Sequence, residues 1–173
     1  MTKTKRLVYA GMFLCIALVL PFVTGQIKAV GKMLNLMHIP IFLCGLICGG
    51  LWGGIVGFIA PLLRSICFGM PTLYPNAIAM AFELATYGVI AGVLYKLLCK
   101  KKGAVFISLI IAMLIGRIIW GFSSVILWSF MGEIFTFILF IKGAFIDSFI
   151  GIIVHLLIIP SIMCVVKLNH KKR

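Results

Sequence analysis

Four ionisable residues stand where a chain of this kind otherwise avoids charge. Arg117 interrupts "AVFISLIIAMLIGRIIWGFSSVILW", residues 104–128, a run with no other charge. Arg64, Glu83 and Asp147 have similarly apolar neighbours. A charge at the centre of a bilayer costs at least ~2.5 kcal/mol, so such residues normally face a protein interior or a watery cavity. Arginine can hold a carboxylate through two parallel N–H bonds. The chemistry on offer is recognition of a polar solute within the membrane, or mutual pairing that holds a helical bundle together.

The composition explains why a membrane is involved. The chain has 173 residues, 64% of them hydrophobic, and a mean hydropathy of +1.26. Soluble domains are ~45–50% apolar, and a core of this size cannot hide the excess. Long unbroken apolar runs indicate a polytopic helical protein rather than the alternating segments of a β-barrel. The sequence reads as a single integral membrane domain over residues 1–173.

The net charge of +13 follows membrane topology, not nucleic-acid binding. Most basic residues fall in three clusters: Lys3, Lys5 and Arg6; Lys96, Lys100, Lys101 and Lys102; Lys167, Lys171, Lys172 and Arg173. Each abuts an apolar run, the pattern of cytoplasmic ends facing anionic lipid. The basic-then-apolar start also has the form of a signal peptide. It lacks a small-residue cleavage site and reads as a retained first span.

Cytoplasmic clusters are separated by even numbers of crossings, and at ~20 residues per span the spacing fits four and then two. The expected fold is all-α, with six transmembrane helices and both termini cytoplasmic. The spans are 7–23, 38–49, 52–69, 75–97, 104–128 and 142–166. The boundary between the second and third rests on glycines: Gly45, Gly49, Gly53 and Gly57 recur every fourth residue, with Gly50 and Gly54 beside them. These predict a tight hairpin and close backbone approach. The outer segment 24–37 is long and half polar, which reads as a lid carrying Lys28 and Lys32.

With direction assigned, Arg64 lies ~10 Å, Glu83 ~12 Å and Arg117 ~16 Å below the outer ends of their helices. Asp147 lies one turn below Lys142. Glu83 shares a helical face with Asn76 and Tyr87; Arg117 shares one with Gly121, Ser124 and Trp128; Gly143, Asp147, Gly151 and His155 repeat every four residues. The expectation is an inward cluster with Arg64, Asn76, Glu83, Arg117, Ser124 and Asp147 around an outward-opening pocket. Mutual pairing of the four charges is the structural alternative. His155, deep on an apolar face, reads as a packing residue.

Other chemistries are poorly supported. Gly25 to Lys32 has five residues where a phosphate loop needs four between its glycines, and Met33 stands where that loop needs Ser or Thr. Cys44 and Cys48 are one turn apart, but His38 lies too far along the same helix to complete a metal site with ease. No nucleophile–base pair and no run of metal ligands is evident. The reading calls for no catalytic residue, no metal and no cofactor.

The hairpin "GLICGGLWGGIVGF", followed by "APLLRSICFGMPTLYPNAIAMAFELATYG", together with six short-looped spans, resembles the substrate-binding S component of energy-coupling factor (ECF) vitamin transporters. The resemblance implies a six-helix protein of the cell membrane that captures a micronutrient from outside with high affinity. Its site would be built near the outer face by spans four to six and the outer loops. Its partners would be a transmembrane coupling subunit and two cytosolic ATPase subunits, and it would topple in the membrane to release its load. The family's coupling surface is a small-residue face of the first span. Gly11 and Cys15 match that spacing, whereas Ala10 is followed four residues later by Leu14.

Arg64, Arg117 and Lys142, with Lys28 and Lys32, outnumber Glu83 and Asp147 near the expected pocket. A surplus of positive charge favours an anionic ligand over a cation such as thiamine. Overall similarity leans towards the pantothenate-type members, while niacin, lipoate or another small carboxylate fits the same physics. An intramembrane enzyme and a structural or regulatory membrane protein are the competing classes, and co-purification with ATPases separates the transporter reading from both.

Overall fold

The computed structural model describes residues 2–24, 35–98, 103–132, 136–146 and 148–171. Lys28 and Lys32 of the expected lid, and Asp147 of the expected cluster, lie outside the described residues. All regular structure among the described residues is helical: α1 (Lys3–Val19), α2 (His38–Cys48), α3 (Gly50–Phe68), α4 (Ile78–Leu98), α5 (Ala104–Ser129), the short α6 (Phe137–Ile141) and α7 (Phe149–Lys171). A 3₁₀ segment, Leu20–Thr24, extends α1, and wider turns at Leu73–Ala77 and Lys142–Ile146 lead towards α4 and α7.

Among the described residues, five helical stretches are long and apolar enough to cross a membrane: Lys3–Phe22, Gly50–Phe68, Leu73–Leu98, Ala104–Ser129 and Phe149–Val166. The expected second span, 38–49, forms a helix of 11 residues, about 16 Å long against a hydrocarbon core of ~30 Å. Every α2 residue except Ile47 is buried. Enclosed by protein, α2 has no need to match the thickness of the bilayer. The last span also differs from 142–166. Its helix starts at Phe149, while Gly143 lies in the separate wider turn Lys142–Ile146, so Gly143 does not continue the helical stripe of Gly151 and His155.

The glycines set the packing. The chain reverses at Gly49, whose φ of 100° suits a residue without a side chain. A Cβ on Gly45 would run into the Gly88 backbone, and one on Gly88 into that of Gly53. Three helices, α2, α3 and α4, thus meet backbone to backbone. Gly88 and Gly92, on α4, supply the side of this contact that the hairpin glycines alone do not reveal.

The contacts also orient the helices. Gly57 lies at Leu84 and Gly50 at Val89, so α3 and α4 run antiparallel. Arg64 reaches the Leu18 carbonyl, and the Phe22 and Phe68 rings meet edge to face at 4.9 Å, so α1 and α3 run parallel. The Lys3–Arg6 end of α1 and the Lys96 end of α4 therefore share one end of the bundle. Helix α1 is peripheral, burying only Ala10 and Ala17.

Candidate functional site

The core of the site is an ion pair inside the bundle. Glu83 and Tyr87 lie one turn apart on α4, where side chains four residues apart meet. The Tyr87 hydroxyl donates to Glu83 Oε1 at 2.6 Å. From α5, Arg117 Nη1 approaches the same oxygen at 3.0 Å. Gly116 makes room for this, since a Cβ there would strike the Tyr87 ring. Glu83 is 2% exposed. Of the four charges expected to cluster, the structure brings these two together.

Around the pair is a layer of rings. His38, in the first turn of α2, lies 5.5 Å from the Tyr87 ring and stacks on His155 of α7 at 5.7 Å. Phe42, one turn further along α2, stacks on Tyr87 at 4.8 Å. His155 Nε2 donates to the Asn35 carbonyl at 3.2 Å, and Asn35 Nδ2 donates to Ser148 Oγ at 3.1 Å. Asn35 has a φ of 45°, a left-handed conformation that asparagine tolerates. It ties the chain entering α2 to the start of α7.

A cavity of about 240 Å³ opens among these groups. His38, Tyr87, Arg117 and His155 give it a polar side; Ile110, Met113, Leu114, Ile152 and Leu156 give it an apolar one. This is small beside the ~300–1,000 Å³ of drug-sized sites, but it has the same make-up, an apolar wall with a few convergent polar groups.

The remaining expected residues lie elsewhere. Arg64 is buried but turned towards α1, its guanidinium on the Leu18 carbonyl and 5.1 and 5.6 Å from the Phe22 and Phe68 ring centroids. It does not line the cavity. Asn76 is exposed and donates to Thr72 Oγ1 at 2.8 Å. It falls in the wider turn Leu73–Ala77, which breaks the helical register that was to align it with Glu83. Ser124 is buried on α5 but is not part of the cavity wall. Gly11 and Cys15 are exposed on α1, with nothing among the described residues within 4 Å of a Cβ at Gly11.

Three contributors escaped the sequence reading. In sequence, His38 reads only as a distant partner for the cysteines, and His155 only as packing. Asn35 carried no more signal than a turn residue. The available clue was His38 opening the apolar run "HIPIFL", where a polar ring enters the bundle with the helix. Cys44 and Cys48 are buried free thiols, and no group of three metal-ligating side chains occurs among the described residues.

A family described as ECF transporter, substrate-specific component, matches residues 5–163. The chain belongs to this family. No curated relative and no solved structure matches it. It is the substrate-specific membrane subunit of an ECF importer, a multi-pass protein, and ECF S components work with a transmembrane coupling subunit and ATPase subunits. In this S component, Arg117 is the described cation that reaches the cavity, and it does so already braced by an acid.

Proposed function

We propose that this S component captures a small anionic vitamin of the pantothenate kind from outside the cell and holds its carboxylate at Arg117. The observation that carries the reading is the position of Arg117, on the cavity wall with Nη1 anchored to Glu83. Anchoring one arm restricts the guanidinium and leaves its other donors for a ligand oxygen. The apolar wall suits the carbon skeleton of the ligand. Niacin, lipoate and other small carboxylates share the group that Arg117 recognises.

The surrounding roles follow. The segment 24–37, with Lys28 and Lys32, closes over the ligand and excludes water. The exposed α1 face at Gly11 and Cys15 receives a helix of the coupling subunit. Arg64 and Asn76 take no direct part in binding, whereas Asp147 adjoins Ser148, which Asn35 ties to the ring layer.

The test is mass spectrometry of whatever small molecule stays with the protein through detergent purification, followed by titration with pantothenate, nicotinate and lipoate. A retained carboxylate, weakened by Arg117→Lys, supports the reading. A retained cation, or affinity for a carboxylate that is indifferent to Arg117, sinks it.

A further inference from the structure

The polar groups on the cavity wall differ in how they are satisfied. Arg117 and Tyr87 share Glu83, and His155 donates to the Asn35 carbonyl. His38 is 2% exposed and lines the same cavity, yet neither Nδ1 nor Nε2 has a hydrogen-bond partner among the described residues. The Asn35 carbonyl lies near the His38 ring without hydrogen-bond geometry to either nitrogen, and it is already committed. It accepts from the His38 backbone N–H at 2.9 Å and from His155, and a carbonyl oxygen has two lone pairs.

A buried polar side chain with nothing to bond is destabilising, and native proteins seldom retain one without a reason. Stacking on His155 and contact with Tyr87 hold the ring at the cavity rather than letting it turn towards another partner. The acid of the described site, Glu83, is taken by Arg117 and Tyr87, so a charge on His38 would stand uncompensated beside a guanidinium. An uncharged imidazole offers one donor and one acceptor. Hydroxyls and amides offer the same pair in return.

We infer that His38 is a substrate-contacting residue that hydrogen-bonds an uncharged hydroxyl or amide of the ligand while Arg117 holds its carboxylate. The substrate class is therefore a small acid bearing a second, neutral polar group, not a plain apolar acid. This rests on the carboxylate reading of Arg117. It adds selectivity, because a site built to hydrogen-bond a hydroxyl or amide strongly rejects an analogue that lacks it.

The experiment titrates the detergent-purified subunit with two probes: pantothenate, which carries an amide and hydroxyls beside its carboxylate, and lipoate, which carries neither. The wild type binds pantothenate at least about 100-fold more tightly than lipoate. His38→Phe weakens pantothenate alone and removes most of that preference. His38→Gln, which keeps a donor and an acceptor, retains part of it. Arg117→Lys weakens both probes together. A His38→Phe protein that keeps the full preference, while Arg117→Lys still weakens both, overturns the role of His38 and leaves the carboxylate reading standing. Carboxylate binding that ignores Arg117→Lys defeats the carboxylate reading and this inference with it; a wild type that binds neither probe defeats this inference, and the nicotinate titration then decides the carboxylate reading. Thermal stability without ligand gives an independent check. His38→Phe melts at or above the wild type, since it removes an unmet polar group; a marked drop means that the protein itself satisfies the ring, and the inference fails.

Discussion

Tyr87 Oη and Arg117 Nη1 converge on one oxygen of Glu83, at 2.6 Å and 3.0 Å. The acid is thus a bracket between α4 and α5. Glu83→Gln leaves the guanidinium buried without its counter-charge and lowers stability by about 3–5 kcal/mol. Tyr87→Phe removes one charge-assisted bond and costs about 1.5–3 kcal/mol. Thermal unfolding of the two variants in one detergent checks the order, and equal melting temperatures would contradict it.

Arg117 braces Glu83 and lines the cavity, and conservative replacement separates that bracing from the proposed hold on a ligand. Arg117→Lys keeps a cation for Glu83 but loses the planar pair of donors. Its melting temperature stays near that of the wild type, while carboxylate affinity falls about 10- to 150-fold, the equivalent of ~1.5–3 kcal/mol. Arg117→Gln loses both stability and affinity. Affinity and melting measured on the same samples decide the point; undiminished affinity in the lysine variant confines Arg117 to a structural role.

Arg64 supports the bundle at α1. Arg64→Met removes its bond to the Leu18 carbonyl and its contacts with Phe22 and Phe68. Stability falls by about 1–3 kcal/mol, with ligand affinity changed by less than about threefold. A large loss of affinity in a protein that melts normally would return Arg64 to the binding site.

Two glycines distinguish the packed core from the free face. Gly88→Ala sets a Cβ against the Gly53 backbone, which cannot swing aside as a side chain could, and costs about 1–3 kcal/mol or more. A Cβ at Gly11 has nothing within 4 Å among the described residues, so Gly11→Leu projects from the exposed face of α1. It abolishes uptake and co-purification of the ATPases yet leaves ligand binding by the isolated subunit intact. Binding that falls in step with uptake would place α1 in the pocket or the fold instead of the coupling surface.

The shared basic end of α1 and α4 gives a topology to test. Reporter fusions after residues 101 and 173 read cytoplasmic, and one near Lys32 reads external. A cytoplasmic signal at Lys32 would invert the lid and the direction of entry.

Composition alone settled that the chain belongs in a membrane, because an apolar excess of this size has nowhere else to go. The four-residue recurrence of Gly45, Gly49, Gly53 and Gly57 was enough to locate the hairpin, since close approach at helical spacing is a local property. The intramembrane charges were equally legible, because each is conspicuous among apolar neighbours. Their partners were not. Arg64 and Arg117 look alike in sequence, yet one turns to α1 and the other to Glu83 and the cavity, a choice made by how the helices rotate against one another. Asn76 left the Glu83 face because the backbone widens at Leu73–Ala77. His38 and His155 are 117 residues apart in the chain and stacked in the fold; their meeting depends on a short buried α2 whose Gly45 lets it pack against the α4 backbone. Helical periodicity reports which residues share a face, but only packing decides what that face meets.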